Sequence, residues 1–574
     1  MKHFVPVFEW LPKYKISYLK SDVVAGITVG ILLIPQGMAY ALIAGLPPVF
    51  GLYAALVPQI IYAIMGTSRQ LAVGPVAMDS LLVASSLAAL SLTSLDSYIA
   101  MAVFLALFTG VIQLLMGVLK MGFLVNFLSK PVISGFTSAV AIIIGLSQLK
   151  HFTGLSFPRT TGVIMLLKEL FNHSSQVHVI TLFMGILAMG IIVFIKKFVP
   201  KIPSALMVVF LGIVSVYFLG LNHYGVEIVG NIPKGLPIFK WPSFNDMPIL
   251  TLAPMALTLA LVGYMEASSI SKSLEEQNED YEVDANQELV AIGFSNMIGS
   301  LFQSYPSTGG FARTAVNHQA GAKTGIASLV AAAVVGFTLL FLTPLFYYLP
   351  LTVLAAMILV AVFYLIDVKY PIQLYKHQKD EFYLLIITFI ITLFLGITQG
   401  ILVGIVLSLI LVIYRTSQPH IAVLARVENS NYFKNIARFN VTTQRDDLLI
   451  VRFDAQLYFG NKDYFKKKMH QLIAVKKETL KAVIINAEAI TYIDSSASVM
   501  LMRFIKELKD QNIIMMITGA IGPTRDVLFK NNIVEVLGKE NLFVRTYEAV
   551  DCFDGIICKD DLQNKICQQT KNNV

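Results

Sequence analysis

Long apolar runs are the feature that most constrains how this sequence can fold. A run of about 20 apolar residues is long enough to cross the hydrocarbon core of a bilayer as a helix. Hydrophobic residues make up 56% of the 574 residues and charged residues only 14%, whereas soluble proteins contain about 25% charged residues. The sequence therefore predicts a membrane protein that crosses the bilayer many times. The plainest runs are residues 23–45, 98–119, 179–195, 204–220 and 326–349.

The apolar part of the chain divides into fourteen spanning or partly spanning segments. An even number of segments places both chain termini on the same side of the membrane. Lysines cluster before the first segment, after the sixth and after the twelfth, and the positive-inside rule makes that side cytoplasmic. We therefore expect a multi-pass protein of the cell (inner) membrane with cytoplasmic N- and C-termini. The segments begin near residues 22, 48, 75, 98, 131, 178, 204, 250, 287, 309, 326, 350, 381 and 400.

Two of these segments, the third and the tenth, are short and are interrupted by glycine and proline. The interruptions lie at residues 66–75 and 299–310. Each half of the chain then holds seven segments, an odd number, so the halves would be inserted with opposite topology. Paired broken segments in inverted halves indicate a binding site near the midplane of the membrane. Two ordinary re-entrant loops are the alternative.

The composition changes near Arg415, beyond which charged residues occur every few positions. Strand patterns alternate with helix patterns there, which predicts a small α/β domain. The strands are expected at residues 448–453, 481–486 and 513–518, and the helices at 462–475, 495–509 and 523–531. The domains expected are a cytoplasmic segment at 1–20, a membrane domain at 21–415, a linker and start of the tail at 416–440, the α/β domain at 441–560 and a flexible C-terminal tail at 561–574.

The net charge of +8 does not predict a nucleic-acid partner. Lysine and arginine mostly flank apolar segments or lie in the tail, and they form no single basic stripe. The three cysteines, Cys552, Cys558 and Cys567, have no metal-ligand spacing. We expect neither a metal nor a bound cofactor. Motifs of kinases, carbonic anhydrases and nucleotide hydrolases are not found, so an enzyme is not expected.

Arg313 lies just inside the broken tenth segment. A charge at membrane depth costs several kcal/mol on most estimates, so it normally has a function or a partner. A helix that begins there directs its free N–H groups and the positive end of its dipole into a cavity, and the segment that begins at Pro75 would do the same. Two helix N-termini and one guanidinium predict an anion site. The alternative is that Arg313 pairs with an acid or snorkels.

Glu266 is the clearest carboxylate within a membrane segment, in the otherwise apolar or small run 257–271. Such a group can take up a proton on one side of the membrane and release it on the other, which is a common use of intramembrane acids. A sodium ligand or a static partner of Arg313 are the alternatives. Asp79, in the third segment, is interpreted as a structural cap or pair.

Gln36 interrupts the first segment, and its amide can donate to an oxyanion without adding charge. Tyr40, one turn further on, can present its hydroxyl to the same cavity. Hydrogen-bonded packing between helices is the alternative for both residues. In the tail, Asp494 and Ser495 lie between a strand and a helix, where N-cap chemistry is ordinary. A phosphate on Ser495 would lie at a helix N-terminus.

Taken together, these residues resemble the SulP/SLC26 family of anion transporters. The resemblance rests on residues 48–55 with 66–69, on 283–289 and on 304–317, and the tail resembles a STAS domain. Phe50 stands where the family signature usually has tyrosine. The sequence is most similar to plant and fungal sulfate permeases, although Ala312 stands where these often have serine.

The resemblance implies an inverted seven-plus-seven repeat, in which a core domain moves against a gate domain, and a homodimer. It implies an anion site between the third and tenth segments and cation coupling through the acid of the eighth segment. In the related anti-sigma antagonists, the serine that matches Ser495 is phosphorylated. The implied site residues are Gln36, Tyr40, Ala77, Met78, Ala312 and Arg313 for the anion and Glu266 for the coupling ion.

We therefore expect a proton-coupled sulfate symporter with elevator-like alternating access. A sodium–bicarbonate symporter and an anion exchanger are the alternatives within transport. An anion sensor that signals through the tail is the alternative from a different class. The expected partners are a small anion, sulfate first, membrane lipid, a second copy of the chain and an unidentified cytoplasmic partner of the STAS domain.

Overall fold

The structure is a computed structural model that describes residues 5–556, except for 89, 91, 93, 124–128, 157–162, 200–202, 243–247, 278–280, 440–441 and 477–478. The flexible tail expected at 561–574 lies outside the described residues. So do residues 1–4 of the expected N-terminal segment and residues 441, 477–478 and 557–560 of the expected α/β domain. The chain forms two compact units, Met1–Ser408 and Leu409–Val574.

The membrane unit contains one helix for each of the fourteen expected segments, in the expected order. Eight helices of the described part of the chain are long and apolar enough to cross a membrane. The helices are α1 Leu19–Ala44, α2 Pro48–Met65, α3 Ala77–Ala88, α4 Leu95–Val118, α5 Lys130–Thr153, α6 Val179–Phe198, α7 Ser204–Leu219, α8 Ile249–Glu275, α9 Ala285–Leu301, α10 Phe311–Gln319, α11 Ile326–Phe337, α12 Leu351–Phe363, α13 Lys379–Phe394 and α14 Ile397–Ser417. Short helices also occur at Val7–Trp10, Val163–Asn172 and Lys369–His377.

The two broken segments meet in a small antiparallel pair of strands. Strand β1, Val73–Gly74, precedes α3, and strand β2, Thr308–Gly309, precedes α10. Val73 lies opposite Gly309 and Gly74 opposite Thr308. With 12 and 9 residues, α3 and α10 are too short to span a bilayer alone. The strand pair therefore brings the beginnings of both short helices together inside the unit.

The helices of the membrane unit pack in two groups. The core group consists of α1–α4 and α8–α11, and the gate group of α5–α7 and α12–α14. Helices seven apart in the chain occupy corresponding places in the two halves, and so do their packing partners. Helix α1 packs on α11, and the corresponding helix α8 packs on α4. In the same way, α5 packs on α13, and α12 packs on α6. This is the pattern that an inverted seven-plus-seven repeat produces, and it confirms the predicted fold class.

A buried carboxylate of α9 forms hydrogen bonds with the end of α2 and with the residues that follow it. Glu288 is fully buried. Its Oε2 accepts a hydrogen bond from the Tyr62 hydroxyl at 2.7 Å, and its Oε1 accepts from the backbone N–H and the hydroxyl of Thr67 at 2.8 and 2.7 Å. The N–H of Ser68 and the hydroxyl of Ser271 complete the set. Buried polar groups need such partners, so Glu288 serves the fold of the core group.

Replacing Glu288 by alanine should strongly destabilise the protein. The Tyr62 hydroxyl and the N–H groups at the end of α2 would lose their acceptor, and each buried group left unsatisfied costs about 1–3 kcal/mol. We expect a loss of roughly 3 kcal/mol or more, measured as a lower midpoint of thermal unfolding in detergent. The exposed Glu276 is the matched control, since surface substitutions usually change stability by about 0.5 kcal/mol or less. Equal midpoints for Glu288→Ala and Glu276→Ala would contradict this account.

The tail unit is a mixed sheet covered by helices. Its strands are β3 Ile421–Val427, β4 Phe433–Asn435, β5 Thr442–Thr443, β6 Leu448–Phe453, β7 Ala482–Asn486, β8 Ile514–Thr518 and β9 Leu542–Phe543. Its helices are α15 Lys462–Val475, α16 Ser495–Asp510, α17 Gly522–Lys530, α18 Ile533–Leu537 and α19 Thr546–Phe553. The order β4-β3-β6-β7-β8-β9 is parallel from β6 to β9, and β3 is antiparallel to its neighbours.

Both faces of the tail sheet are apolar, because successive residues of a strand point to opposite sides. Leu449 and Val451 belong to the hydrophobic cluster that includes α15 and α16, whereas Leu448 and Ile450 belong to the cluster that includes α19. The three strands and three helices predicted from the sequence are confirmed. Strand β3 was not predicted and lies in the interval expected to hold the linker and the start of the tail.

Candidate functional site

A cavity of about 820 Å³ lies between the two helix groups of the membrane unit. Helices α1 and α10 of the core group line one side, and α6, α12 and the start of α7 of the gate group line the other. Three of the predicted site residues, Gln36, Tyr40 and Ala312, line this cavity. Each helix group therefore supplies one wall of the cavity.

The described lining of the cavity contains a single charged side chain, Lys196 near the end of α6. Its Nζ lies 4.9 Å from the centre of the Tyr364 ring, a cation–π contact within the gate group. In the sequence, Lys196 belongs to the lysine cluster after the sixth segment, which indicates only the orientation of the chain. Its position on the cavity wall makes the described lining favourable for anions.

Arg313 is buried behind the wall that Ala312 forms. Its side chain is 2% exposed, and its Nη1 donates a hydrogen bond of 2.6 Å to the backbone carbonyl of Pro75. Neither Nε nor Nη2 has a hydrogen-bond partner among the described residues. Nη2 lies so close to Gly310 that a Cβ there would approach it to 2.5 Å. The guanidinium therefore lies against the strand pair with unused donors.

The beginnings of α3 and α10 surround this guanidinium. The first N–H groups of a helix have no acceptor within the helix, and they carry the positive end of its dipole. Helix α10 begins after Gly310 without a side-chain cap. Ala77 and Met78 are the first residues of α3, and Ala312 and Arg313 are the second and third of α10. Two helix ends and a cation thus converge where the sequence predicts an anion.

Glu266 lies on α8, and its Oε2 is buried without a hydrogen-bond partner among the described residues. It is near enough to Arg313 for the two charges to interact, yet the two side chains form no ion pair. The hydrogen-bond partner of Arg313 is the Pro75 carbonyl. This geometry does not support the alternative in which Glu266 is a static partner of Arg313.

A buried polar network, which was not predicted from the sequence, holds β2 in place. The Thr308 hydroxyl donates to the carbonyl of Gly263 at 2.6 Å. The N–H of Ser307 donates to Oδ1 of Asn296 at 2.9 Å, and Nδ2 of Asn296 donates to Oε1 of Gln113 at 3.0 Å. Isolated amides in apolar helices were the available signal, but their partners lie far apart in sequence. These bonds fix the start of α10, and with it Arg313.

Ser495 is the exposed first residue of α16. The N-cap is Asp494, whose Oδ1 accepts a hydrogen bond from the N–H of Ala497 at 2.7 Å. The phosphorylation of Ser495 stays a prediction. Mass spectrometry of protein from native cells would reveal it, and an unmodified Ser495 under all growth conditions would contradict it.

Two family models match the chain. The model described as the sulfate permease family matches residues 19–388, and the STAS domain model matches residues 440–551. The first match covers the core group and most of the gate group, and the second covers most of the tail unit.

Curated relatives and solved structures match over most of the chain. The Arabidopsis thaliana protein "Sulfate transporter 4.1, chloroplastic" is 39% identical over 581 residues, covering 98% of this chain and 84% of that protein. The murine Solute Carrier 26 family member A9 anion transporter, in an inward-facing state, matches with a TM-score of 0.88 and 26% identity over 95% of this chain and 93% of that one. The transmembrane domain of the cyanobacterial bicarbonate transporter BicA matches with a TM-score of 0.59 and 26% identity over 69% and 98%.

Proposed function

The chain belongs to the sulfate permease family of membrane transporters, and on that premise we propose that it carries sulfate across the bilayer together with protons. It is a multi-pass membrane protein of a family of anion transporters. Sulfate is the substrate in the names of its Arabidopsis thaliana relatives, and sulfate is the dianion that the predicted site would accept.

The buried guanidinium of Arg313 is the observation that carries this proposal. Burying a cation whose donors have no hydrogen-bond partner costs free energy, unless a bound ligand accepts hydrogen bonds from those donors. A tetrahedral dianion can accept from Nε and Nη2 and from the free N–H groups of Ala77, Met78 and Ala312. Gln36 and Tyr40, on the cavity side, would orient it. The lost hydroxyl at Ala312 is compatible with this role, because the backbone N–H still donates.

Glu266 would carry a proton with the anion. Moving one negative charge against an inside-negative potential of 100 mV costs about 2.3 kcal/mol, so a dianion needs compensation. A half-buried carboxylate near Arg313, with one buried oxygen that has no partner among the described residues, is placed to exchange a proton with each side in turn. Its protonation would remove a negative charge from the surroundings of the bound anion.

We propose that transport proceeds by an elevator-like movement of the core group against the gate group. The cavity between α1 and α10 on one side and α6, α7 and α12 on the other supports this proposal. The strand pair and its buried polar network would keep the site rigid while the core group moves. Crosslinks between cysteines on the two groups should block uptake without blocking sulfate binding.

Uptake of labelled anions into liposomes tests the function. A panel of sulfate, bicarbonate and chloride, with pH and sodium varied independently, should show sulfate uptake that rises with an inward proton gradient and ignores sodium. Sulfate uptake that ignores the proton gradient would refute the proposal.

The same panel distinguishes the alternatives within transport. A sodium–bicarbonate symporter, an activity kept open by the structural likeness to a bicarbonate transporter, would take up bicarbonate only with sodium. An exchanger would need an anion inside the liposome. An anion sensor would bind sulfate without net flux in the intact chain, and a chain cut after Gln418 would not restore flux.

We further propose that the protein resides in the cell membrane with both termini in the cytoplasm. The fourteen segments and their lysine clusters support this orientation. A homodimer and a cytoplasmic partner of the STAS domain complete the proposal. Light scattering in detergent and affinity capture on the intact protein would test these two partners.

Cysteine labelling from outside the cell should report the orientation. In a background with Cys552, Cys558 and Cys567 changed to serine, an impermeant maleimide should label Asp96→Cys, between α3 and the body of α4, in intact cells. Gln277→Cys, just after α8, should react only after permeabilisation. Both positions are exposed, so exposure alone cannot explain a difference. The reverse pattern would overturn the orientation.

A further inference from the structure

We infer that Asp79 is a second proton-carrying group, so that one sulfate crosses the membrane with two protons, one on Asp79 and one on Glu266. This inference rests on the proposed function and deepens it. It replaces the interpretation of Asp79 as a structural cap or pair. The structure gives three independent reasons for it, which concern the burial, the position and the neighbours of this carboxylate.

The first reason is the isolation of the Asp79 carboxylate. Its side chain is 2% exposed, and Oδ1 is buried without a hydrogen-bond partner in the part of the chain that the structure describes. Asp79 forms no ion pair with any of the described residues. An ionised carboxylate in such a place is strongly disfavoured, because the desolvation is not offset by a partner. A structural pair would have shown a cation or a set of donors, as Glu288 does.

The second reason is the position of Asp79 in the first turn of α3. It directly follows Met78, whose N–H belongs to the helix end that would hold the anion. The positive end of the helix dipole attracts both the carboxylate and a bound anion. Sulfate and an ionised Asp79 would therefore compete for the same helix end. Binding of the dianion favours a proton on Asp79, and this linkage is what couples the two movements.

The third reason is the proximity of Asp79 to Glu266. Oδ2 of Asp79 lies 3.3 Å from the place where a Cβ on Gly263 would be. Residues three apart share one face of a helix, with about 5–6 Å between their Cβ positions, so Gly263 and Glu266 face the same neighbour. The two carboxylates interact electrostatically. Both have an unpartnered oxygen, and together they carry the two negative charges that two protons would neutralise.

The other polar groups around Asp79 come from four elements, and three of these groups are ionisable. Tyr305, before β2, shares a hydrogen bond with the Ser80 hydroxyl at 3.1 Å and interacts with Asp79. Tyr40 on α1 and Arg313 on α10 act on the same cluster through Tyr305 and Glu266. Helix α4 contributes the uncharged amide of Gln113 near Gly263.

Helix α5, which also packs on α3, carries its ionisable side chains only at its two ends. They are Lys130, Lys150 and His151. Asp79, Glu266 and the bound anion would therefore share one compensating positive charge, that of Arg313.

The charge carried per cycle tests the inference in liposomes with the full chain. Two protons and one sulfate carry no net charge, so uptake by the native protein should ignore a potassium–valinomycin potential, and accumulation should rise about hundredfold per pH unit of gradient.

In Asp79→Asn one proton is lost. Accumulation should then rise only about tenfold per pH unit, and an inside-negative potential of 100 mV should lower it about fiftyfold. Ser86→Ala, another buried polar position of α3, is the matched control and should behave as the native protein.

A second measurement covers the case that Asp79→Asn does not fold. Proton uptake from weakly buffered solution on adding sulfate to purified Glu266→Gln should persist, because Asp79 remains. Loss of all proton uptake in Glu266→Gln would overturn the inference, as would equal potential dependence of Asp79→Asn and native protein. If native uptake itself ignores the proton gradient, the proposed function fails, which is a distinct result.

Discussion

Replacing Arg313 by glutamine should weaken sulfate binding at least about a hundredfold. The substitution removes the positive charge and the donors Nε and Nη2, which have no protein partner among the described residues. Hydrogen bonds to charged groups contribute about 1.5–3 kcal/mol each, so two of them amount to at least about 3 kcal/mol, or about a hundredfold in affinity. The KM of labelled sulfate uptake and the Kd of purified protein measure the effect.

Two further variants make the Arg313 result specific. Arg313→Lys keeps the charge but loses the planar fork that matches an oxyanion, so its affinity should be intermediate. Arg69→Gln makes the same chemical change at an arginine that stacks on Tyr281, 5.2 Å from the ring centre, and should leave KM unchanged. An unchanged KM in Arg313→Gln would mean that the anion binds elsewhere in the cavity, with Lys196 as the next residue to change.

The helices of the membrane unit could be predicted because their limits are local. Apolar runs end at charges, glycines and prolines, and these signals need no knowledge of the fold. The break between α13 and α14 is an example, since Gly396 has a φ of +123° that few other residues adopt. The two short helices were also readable, because glycine and proline interrupt the apolar sequence before each of them.

The polar network and the additional strands could not be predicted, because they depend on partners far along the chain. Asn296 and Gln113 are 183 residues apart, and each alone resembles an ordinary polar residue that packs between helices. From the sequence alone, strand β3 resembles a connecting segment. It is identified as a strand by its antiparallel partners β4 and β6. In both cases, the polar side chains or the strand can be seen in the sequence, but their partners are known only from the fold.

Glu266 and Asp79 show how local context misleads. Glu266 stood out because its neighbours in sequence are apolar or small. Asp79 was interpreted as a cap or pair, because aspartate in the first turn of a helix is ordinary capping chemistry. Burial distinguishes a capping aspartate from an isolated one, since a capping side chain accepts hydrogen bonds, whereas Oδ1 of Asp79 is buried with no hydrogen-bond partner among the described residues. Burial is a property of the packed helices and cannot be read from residues near position 79.

Replacing Glu266 by glutamine should remove one of the two coupled protons while leaving the anion site in place. Glutamine has nearly the same shape and cannot carry a proton. Each coupled proton multiplies accumulation about tenfold per pH unit of gradient, since one pH unit corresponds to 1.36 kcal/mol. The variant should therefore lose about one factor of ten in accumulated sulfate per pH unit. Exchange of labelled for unlabelled sulfate, which needs no net proton movement, should stay within a few-fold of the native rate.

The comparison of exchange with accumulation makes the Glu266 result decisive. A variant that had merely lost its fold would fail in both assays, whereas a carrier that has lost one coupled proton is impaired only in accumulation. Glu276→Gln, at an exposed position just beyond the end of α8, is the matched control and should lose neither. If Glu266→Gln still accumulates sulfate as steeply with pH as the native protein, the proton does not travel on Glu266. The coupling would then have to reside on Asp79 alone, the one fully buried carboxylate beside the predicted anion site among the described residues.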